Sequence, residues 1–555
     1  MNNTKVQHAQ NVKEGDHAFD QSSVLKVLIK NSFPLVLLMI ANSFYTLIDA
    51  LLAIRFVTVE NHGYNGGDVV GAVFPLAQLL MAFSMFYVVG IGLYYSKRLG
   101  QDKYDSAERG VSQAMLMSVV MGVILYVVLF IIVDPYVSHL IDSSKSFAVT
   151  SDAFPDVDAN IEAAKVAGKN FLLVIGLSAI PLSIMNCLVR ALRSEGKGPA
   201  ASVIPMLPIP LNLGFDIIMM GVLGTGIWGA AFATFFASLV TMIIAIGYVV
   251  FEKAKDNTYI SFKIGLWKPI WPTIFVIIVF GATSFIRRMG TAFVMVSLST
   301  HITSLGNFDI SATDTYLLTS GAISNFLASI SDSTIRTTID AAVTTSDEWA
   351  AAFNAMARTL IIPNRISLGI AQSVAMICAY HYGRRNWKRI NQTLMWGFAG
   401  VLLITGIMSA ILIGASNPLI KSFGVHPDDP NFITYQMAYI YGGVFVFMNG
   451  MVLIPIMFYS SQRNIRATLV HVFVVTIILF SATFIGKPIA EKCNNDLAYF
   501  YTMLVGAFFA NLAAVILFSV NLHKMNKNVK LYDFPKKPKK EQLLINISAK
   551  SGLPK

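Results

Sequence analysis

Long apolar runs separated by short polar ones dominate the chain, and their lengths set the first reading. Twelve such runs fall at about residues 29–56, 69–95, 108–134, 166–190, 199–223, 226–251, 273–303, 350–381, 391–420, 432–460, 464–486 and 496–522. Each is long enough for the ~20 residues with which a helix crosses a bilayer. Within a run the apolar residues are continuous and do not alternate with polar ones, which selects helices over the strands of an outer-membrane barrel. The pattern predicts an all-α membrane protein of about twelve transmembrane helices.

Composition supports this. Of 555 residues, 55% are hydrophobic and only 13% charged, against roughly 25% charged in soluble domains. The net charge of +11 raises the question of nucleic acid, but the basic residues are scattered between apolar runs and form no basic domain, so a nucleic-acid partner is not expected. They gather in alternate loops: Lys97, Arg98, Lys103 and Arg109; Arg190, Arg193 and Lys197; Lys253, Lys255, Lys263 and Lys268; Arg384, Arg385, Lys388 and Arg389; Arg463 and Arg466. The intervening loops VTVENHGYNGGD and GVHPDDPNF carry none, and SDAFPDVDANIEAA is acidic. This positive-inside pattern predicts a multi-pass protein of the cell membrane with both termini in the cytoplasm. The first ~25 residues lack the apolar core and cleavage site of a signal peptide.

Two helix ends look alike. YYSKRLGQDKYDSAERG and AYHYGRRNWKRINQTL each close on a glycine, Gly100 and Gly383, with an aromatic four positions later, Tyr104 and Trp387. Six helices separate them, the spacing of two parallel, pseudo-symmetric six-helix bundles. The predicted layout is an N-terminal cytoplasmic tail (1–27), an N-lobe of helices 1 to 6 (28–252), a cytoplasmic linker (253–272), a C-lobe of helices 7 to 12 (273–523) and a basic cytoplasmic tail (524–555), which reads as a topogenic, solubilising segment in preference to one that binds anionic lipid headgroups. Within the C-lobe, the polar segment 304–349 is too long for a plain loop and predicts a small structured cap on the outer side.

The candidate chemistry lies where a charge has no water. Asp49 and Asp216 fall well inside spanning helices, where each costs ~2.5–3.5 kcal/mol on insertion scales. Counted at 1.5 Å per residue, both lie ~10 Å below the outer surface. Asn212 is four residues before Asp216, hence on the same helix face, and Thr234 on the sixth helix reaches the same level. Asp49, Asn212, Asp216 and Thr234 therefore form a candidate ion site, suited either to Na⁺ or to a proton on a buried carboxylate. No other metal and no organic cofactor is indicated.

The second half has no equivalent carboxylates. Its intramembrane polar residues are Arg287, Arg288, Asn364, Arg365 and Gln372, with His381 at a helix end and His471 within a helix. Arg287 and Arg288 either snorkel to headgroups or face substrate, and His471 reads as structural. Tyr45, Met81, Met85 and Phe86 form either an adaptable apolar wall of a cavity or plain helix packing. Cys187, Cys378 and Cys493 are too few and too far apart for a disulfide framework or a zinc site and read as small packing residues. No H-E-x-x-H, G-x-S-x-G or phosphate-cradling loop appears, so an enzyme is not expected.

Taken together, several segments resemble the multidrug and toxic compound extrusion transporters. SFYTLIDALLAIR is similar to that family's first-helix pattern, with Pro34 fifteen positions before Asp49 as the helix-bending proline. GIGLYYSKRLGQDKYDSAERG resembles the end of its second helix, and GIAQSVAMICAYHYGRRNWKRI that of its eighth. RALRSEGKGPA followed by LNLGFDIIMMGVLGTGIWGAAFAT resembles the stretch from its fourth helix into its sixth; the family's Asn-x-x-x-Asp and later Thr fall on Asn212, Asp216 and Thr234. The resemblance implies a secondary antiporter whose two lobes enclose a V-shaped cavity, exporting amphipathic, often cationic, small molecules against Na⁺ or H⁺. The N-lobe carboxylates would carry the coupling ion, and a monomer in the bilayer is expected. The alternative is a flippase of a lipid-linked oligosaccharide from the same superfamily, for which Arg287, Arg288 and Arg365 would supply a basic cavity.

Overall fold

The computed structural model describes residues 19–20, 23–142, 150–262, 267–302, 308–309, 343–344, 346–422, 427, 432–493 and 497–531. Among these, twelve long helical elements follow one another: α1 (Val24–Phe56), α2 (Gly66–Gly100), α3 (Tyr104–Asp142), α4 (Val157–Ser194), α5 (Ala200–Val222), α6 (Ile227–Ala254), α7 (Trp271–Ile302), α8 (Ser346–Gly383), α9 (Trp387–Gly414), α10 (Phe432–Ser461), α11 (Ile465–Cys493) and α12 (Leu497–Leu531). Ten carry a stretch long and apolar enough to cross a membrane. Helices outrun the apolar pattern because a span continues into the interface while its backbone stays hydrogen-bonded: α1 begins at Val24, and α12 continues to Leu531. The expected cap, 304–349, lies largely outside the described residues; two short strands there pair antiparallel, Phe308 with Thr344 and Asp309 with Val343.

Helices α2 to α6 pack into one group and α8 to α12 into another, with α7 joined to α11. The first and seventh helices straddle the division, since α1 lies along α8 and α7 along α2. Core and membrane faces follow from the side chains. Ile91, Tyr95, Leu188 and Leu192 are buried on the inner faces, whereas Ile131, Phe275, Leu403 and Phe473 are exposed on faces suited to lipid chains.

The loops after α2, α4, α6 and α8 converge at one end of the bundle, called here the basic end. Backbones meet there directly. A Cβ on Gly100 would run into the Tyr380 carbonyl of α8, and one on Gly383 into the Lys97 carbonyl of α2. These contacts are reciprocal, each glycine resting on the residue three before the other, as a local two-fold relation requires. Deeper in, Gly90 meets Ile277 and Gly281 meets the Phe86 carbonyl, so α2 and α7 touch without side chains between them. Ser96 donates to the Met376 carbonyl (2.8 Å) across the same joint.

Glu195, just after α4, ties the loops together. Its carboxylate accepts from the hydroxyls of Tyr95 and Thr258 and from the Tyr259 backbone N–H. Lys197 bridges to Glu252 at 2.6 Å, and Tyr104 stacks on Tyr259 with centroids 4.4 Å apart. The segment leading into α7 is thereby fastened to the first group of helices.

Candidate ion-coupling site

The fifth helix interrupts its own regularity. Pro205, Pro208 and Pro210 lack the N–H of an ordinary helical residue. The chain accordingly runs as an α turn (Ala200–Val203), a 3-10 turn (Ile204–Met206), an α segment (Pro208–Asp216) and a wider π turn (Ile217–Val222). The π turn begins directly after Asp216, and such insertions recur at functional positions. Asn212 and Asp216, one turn apart in the α segment, are each 1% exposed.

A polar network surrounds them. Asn212 Nδ2 donates to Asp216 Oδ2 at 2.6 Å and to the Tyr45 hydroxyl of α1 at 3.2 Å, while its Oδ1 accepts from the Thr234 backbone N–H at 3.0 Å and lies 3.1 Å from Thr234 Oγ1. Thr234 Oγ1 is also 3.1 Å from the Ala230 carbonyl, so one hydroxyl proton serves two acceptors. With Asp216 ionised, the opposite amide orientation would place Oδ1 against the carboxylate, acceptor to acceptor, and the orientation above satisfies both groups. A buried carboxylate requires such donors.

The network can respond to an ion in two ways. Its oxygen donors, the Asp216 carboxylate, the Tyr45 and Thr234 hydroxyls and the Asn212 carbonyl, are the hard ligands that suit Na⁺. A proton on Asp216 would instead turn an acceptor into a donor and compete with the Asn212 bond.

The structure thus brings Asn212, Asp216 and Thr234 together and adds Tyr45, which the sequence left between a cavity wall and plain helix packing. A usable signal existed: Tyr45 is four residues before Asp49, one helical turn away on the same face. The side chains of Asp49, Met85 and Arg288 lie outside the described residues, although all three positions fall within helices. Pro34 sits inside α1. Met81 packs against the apolar core of the first helix group, together with Leu125 and Leu173. Phe86 lies at the α2–α7 contact, its ring 6.0 Å from that of Phe285. Arg287 is partly buried on α7.

On α8, the face turned to the first group carries Gly369 against Val36 of α1, Gln372 near Arg190 of α4 (3.5 Å), and Met376 at the joint. Arg365 continues that face one turn beyond Gly369 and is partly exposed. His471 is buried with its ring edge toward Tyr459, 5.8 Å between centroids. Cys187 and Cys378 are buried packing residues.

A bundle of membrane-length helices in two groups, with a polar network buried in one of them, is the architecture of a membrane transporter, and the comparisons with known proteins agree. The MatE family model matches residues 34–218 and 323–490, more than half of the chain. The chain belongs to that family, whose members are membrane transporters. It is 22% identical over 412 residues to the multidrug export protein MepA of Staphylococcus haemolyticus strain JCSC1435, covering 74% of this chain and 75% of that one. To MepA of Staphylococcus aureus strain NCTC 8325 / PS 47 it is 23% identical over 297 residues, 53% of this chain and 59% of the relative. Among solved structures, a multidrug resistance MATE family transporter in an outward-facing conformation superposes with a TM-score of 0.71 at 17% identity, covering 92% of this chain and 98% of that one. A Pyrococcus furiosus transporter of the MOP superfamily, described as having a binding pocket of reverse polarity, gives 0.71 at 15%, covering 91% and 97%. At these identities the structural likeness speaks for the fold.

Proposed function

We propose that this protein exports amphipathic, cationic organic compounds in exchange for Na⁺ or H⁺, by alternating access between its two lobes. The observation that carries this reading is the buried Asn212–Asp216–Thr234–Tyr45 network, which joins α5 and α6 to the first helix. With Asp49, whose place on α1 is one turn beyond Tyr45, Asn212, Asp216 and Thr234 hold the coupling ion. Filling or emptying the site changes the bonds made to Tyr45, and α1 responds by bending at Pro34, where the Lys30 carbonyl has no helical N–H to accept from. Coupling then requires only that ion and substrate differ in affinity for the two states. The positive-inside distribution supports a cytoplasmic basic end, and on that reading the glycine contacts there correspond to a transporter closed on that side. The multidrug activity named for the MepA relatives supports the substrate class.

The test is ethidium efflux from proteoliposomes under an imposed Na⁺ or pH gradient. Wild type is expected to follow one of the two gradients, and Asp216→Asn to lose that dependence with at least a tenfold fall in gradient-driven rate, the equivalent of about 1.4 kcal/mol in the activation barrier. Efflux that ignores both gradients in wild type removes the antiport mechanism.

A second reading draws on Arg365. Its place on the lobe-facing side of α8, in line with Gln372 and Arg190, would suit an anionic headgroup, as a flippase of lipid-linked oligosaccharide needs. Under that reading, efflux of ethidium is absent and Arg365→Gln abolishes translocation of an anionic lipid reporter.

A further inference from the structure

The residues just ahead of the first helix reach the opposite lobe. Phe19 is 1% exposed and sets its ring edge-on to Tyr380 of α8, 5.4 Å between centroids. Asp20 accepts a hydrogen bond from the Tyr380 hydroxyl (2.8 Å) and pairs with Arg384 Nε at 3.3 Å. Arg389, in the first turn of α9, donates to the Phe19 and Asp20 carbonyls at 2.6 and 3.0 Å. Arg384 also reaches Asp102, in the loop between α2 and α3, at 3.5 Å. One guanidinium therefore holds the N-terminal segment and the first helix group at once.

The arrangement mirrors the one at the other lobe. The segment leading into α7 is fastened to the corner of α2 and α3, through Tyr259 on Tyr104 and through Gln113, whose side chain bonds the Lys268 carbonyl and the Ile270 N–H. The segment leading into α1 is fastened to the corner of α8 and α9. Each lobe is thus held by the strap that enters the helix next to the division.

We propose that Phe19 and Asp20 form a latch that pins the lower end of α1 to the α8–α9 corner, holds the basic end closed, and must let go for the lobes to part there. The upper part of α1 is bonded through Tyr45 to the ion network, and Pro34 lies between the two attachments. A latched lower end converts a change at Tyr45 into bending at Pro34, whereas a released end lets α1 leave with the first helix group. The proposal rests on the alternating-access reading above.

The test uses the full chain in nanodiscs with Cys493→Ser and spin labels on Arg109→Cys of α3 and Gln392→Cys of α9, both exposed positions near the basic end. Latched protein gives a mainly short interlabel distance. Phe19→Ala with Asp20→Ala is expected to raise the long-distance population about fivefold or more, and Asp20→Glu to leave it near wild type. A second measurement bridges Asp20→Cys to Arg384→Cys: efflux of ethidium should stop when the pair is oxidised and return with reductant. Two populations whose ratio ignores Phe19 and Asp20, or full-rate efflux by the bridged protein, overturn the latch and leave the antiporter reading standing. One unchanging distance in every variant overturns both.

Discussion

Glu195 shows how far a single residue depends on parts of the chain remote from it. In sequence it is one more polar residue in a basic loop. Burial pushes its carboxyl above the ordinary glutamate value of 4.5, although bonds from Tyr95 and Thr258, the charge of Lys197 and the Tyr259 N–H all pull it down. A raised folded-state pKa means that the group's contribution to stability is greatest below pH 4.5 and is lost as pH rises through the shifted value. Comparing wild type with Glu195→Gln isolates this group, because all other titrations are shared. The difference in unfolding midpoint in detergent is expected to favour wild type most near pH 4.5 and to move toward the glutamine variant as pH is raised to neutrality. A difference that is flat with pH would mean that the folded and unfolded states hold the Glu195 proton equally, and so that burial does not raise its pKa. Asn212, Asp216 and Thr234 were legible beforehand, because four-residue spacing and membrane depth are properties of one helix at a time. Glu195 was not, since its burial exists only once the segment before α7 folds back over it.

At the scale of elements, the apolar runs fixed the number and order of helices, and the breaks inside them were the harder part. Prolines mark α1 and α5 in the sequence, but proline alone does not say whether a helix bends, tightens or widens. In α5 the result is a tight turn near Pro205 and a π turn after Asp216, and the second contains no proline that could have announced it. Likewise α1 continues through Pro34, and just beyond it Val36 packs on Gly369 of α8. Pro34→Ala restores a donor to the Lys30 carbonyl and is worth up to about 3 kcal/mol in a regular helix. If α1 works by bending, the variant should unfold at the same temperature or higher yet export ethidium several-fold more slowly. Equal or faster efflux would show that the bend has no part in turnover.

At the scale of the molecule, the repeat was visible as Gly100 with Tyr104 and Gly383 with Trp387, but not what the two glycines do to each other. Similar helix ends could belong to lobes that never touch. In the structure each glycine removes the side chain that would keep the other's helix away, and Gly90 and Gly281 repeat the device between α2 and α7. If these contacts close one joint between rigid groups, they open together. Ser96, buried at the joint, provides the probe: Ser96→Cys should react with a maleimide supplied at the basic end only while the lobes are apart. Valine at Gly90 or at Gly383 forces backbone apart, and overpacking of this kind costs about 1–3 kcal/mol, enough to raise the open population and the labelling rate about 5- to 150-fold. The decisive comparison is the double variant. Where two substitutions strain independent sites their effects multiply, whereas two that wedge the same joint saturate, so the double should label little faster than the stronger single. Multiplied rates would mean that α2 parts from α7 and from α8 in separate steps, and the two groups of helices would then not move as rigid lobes.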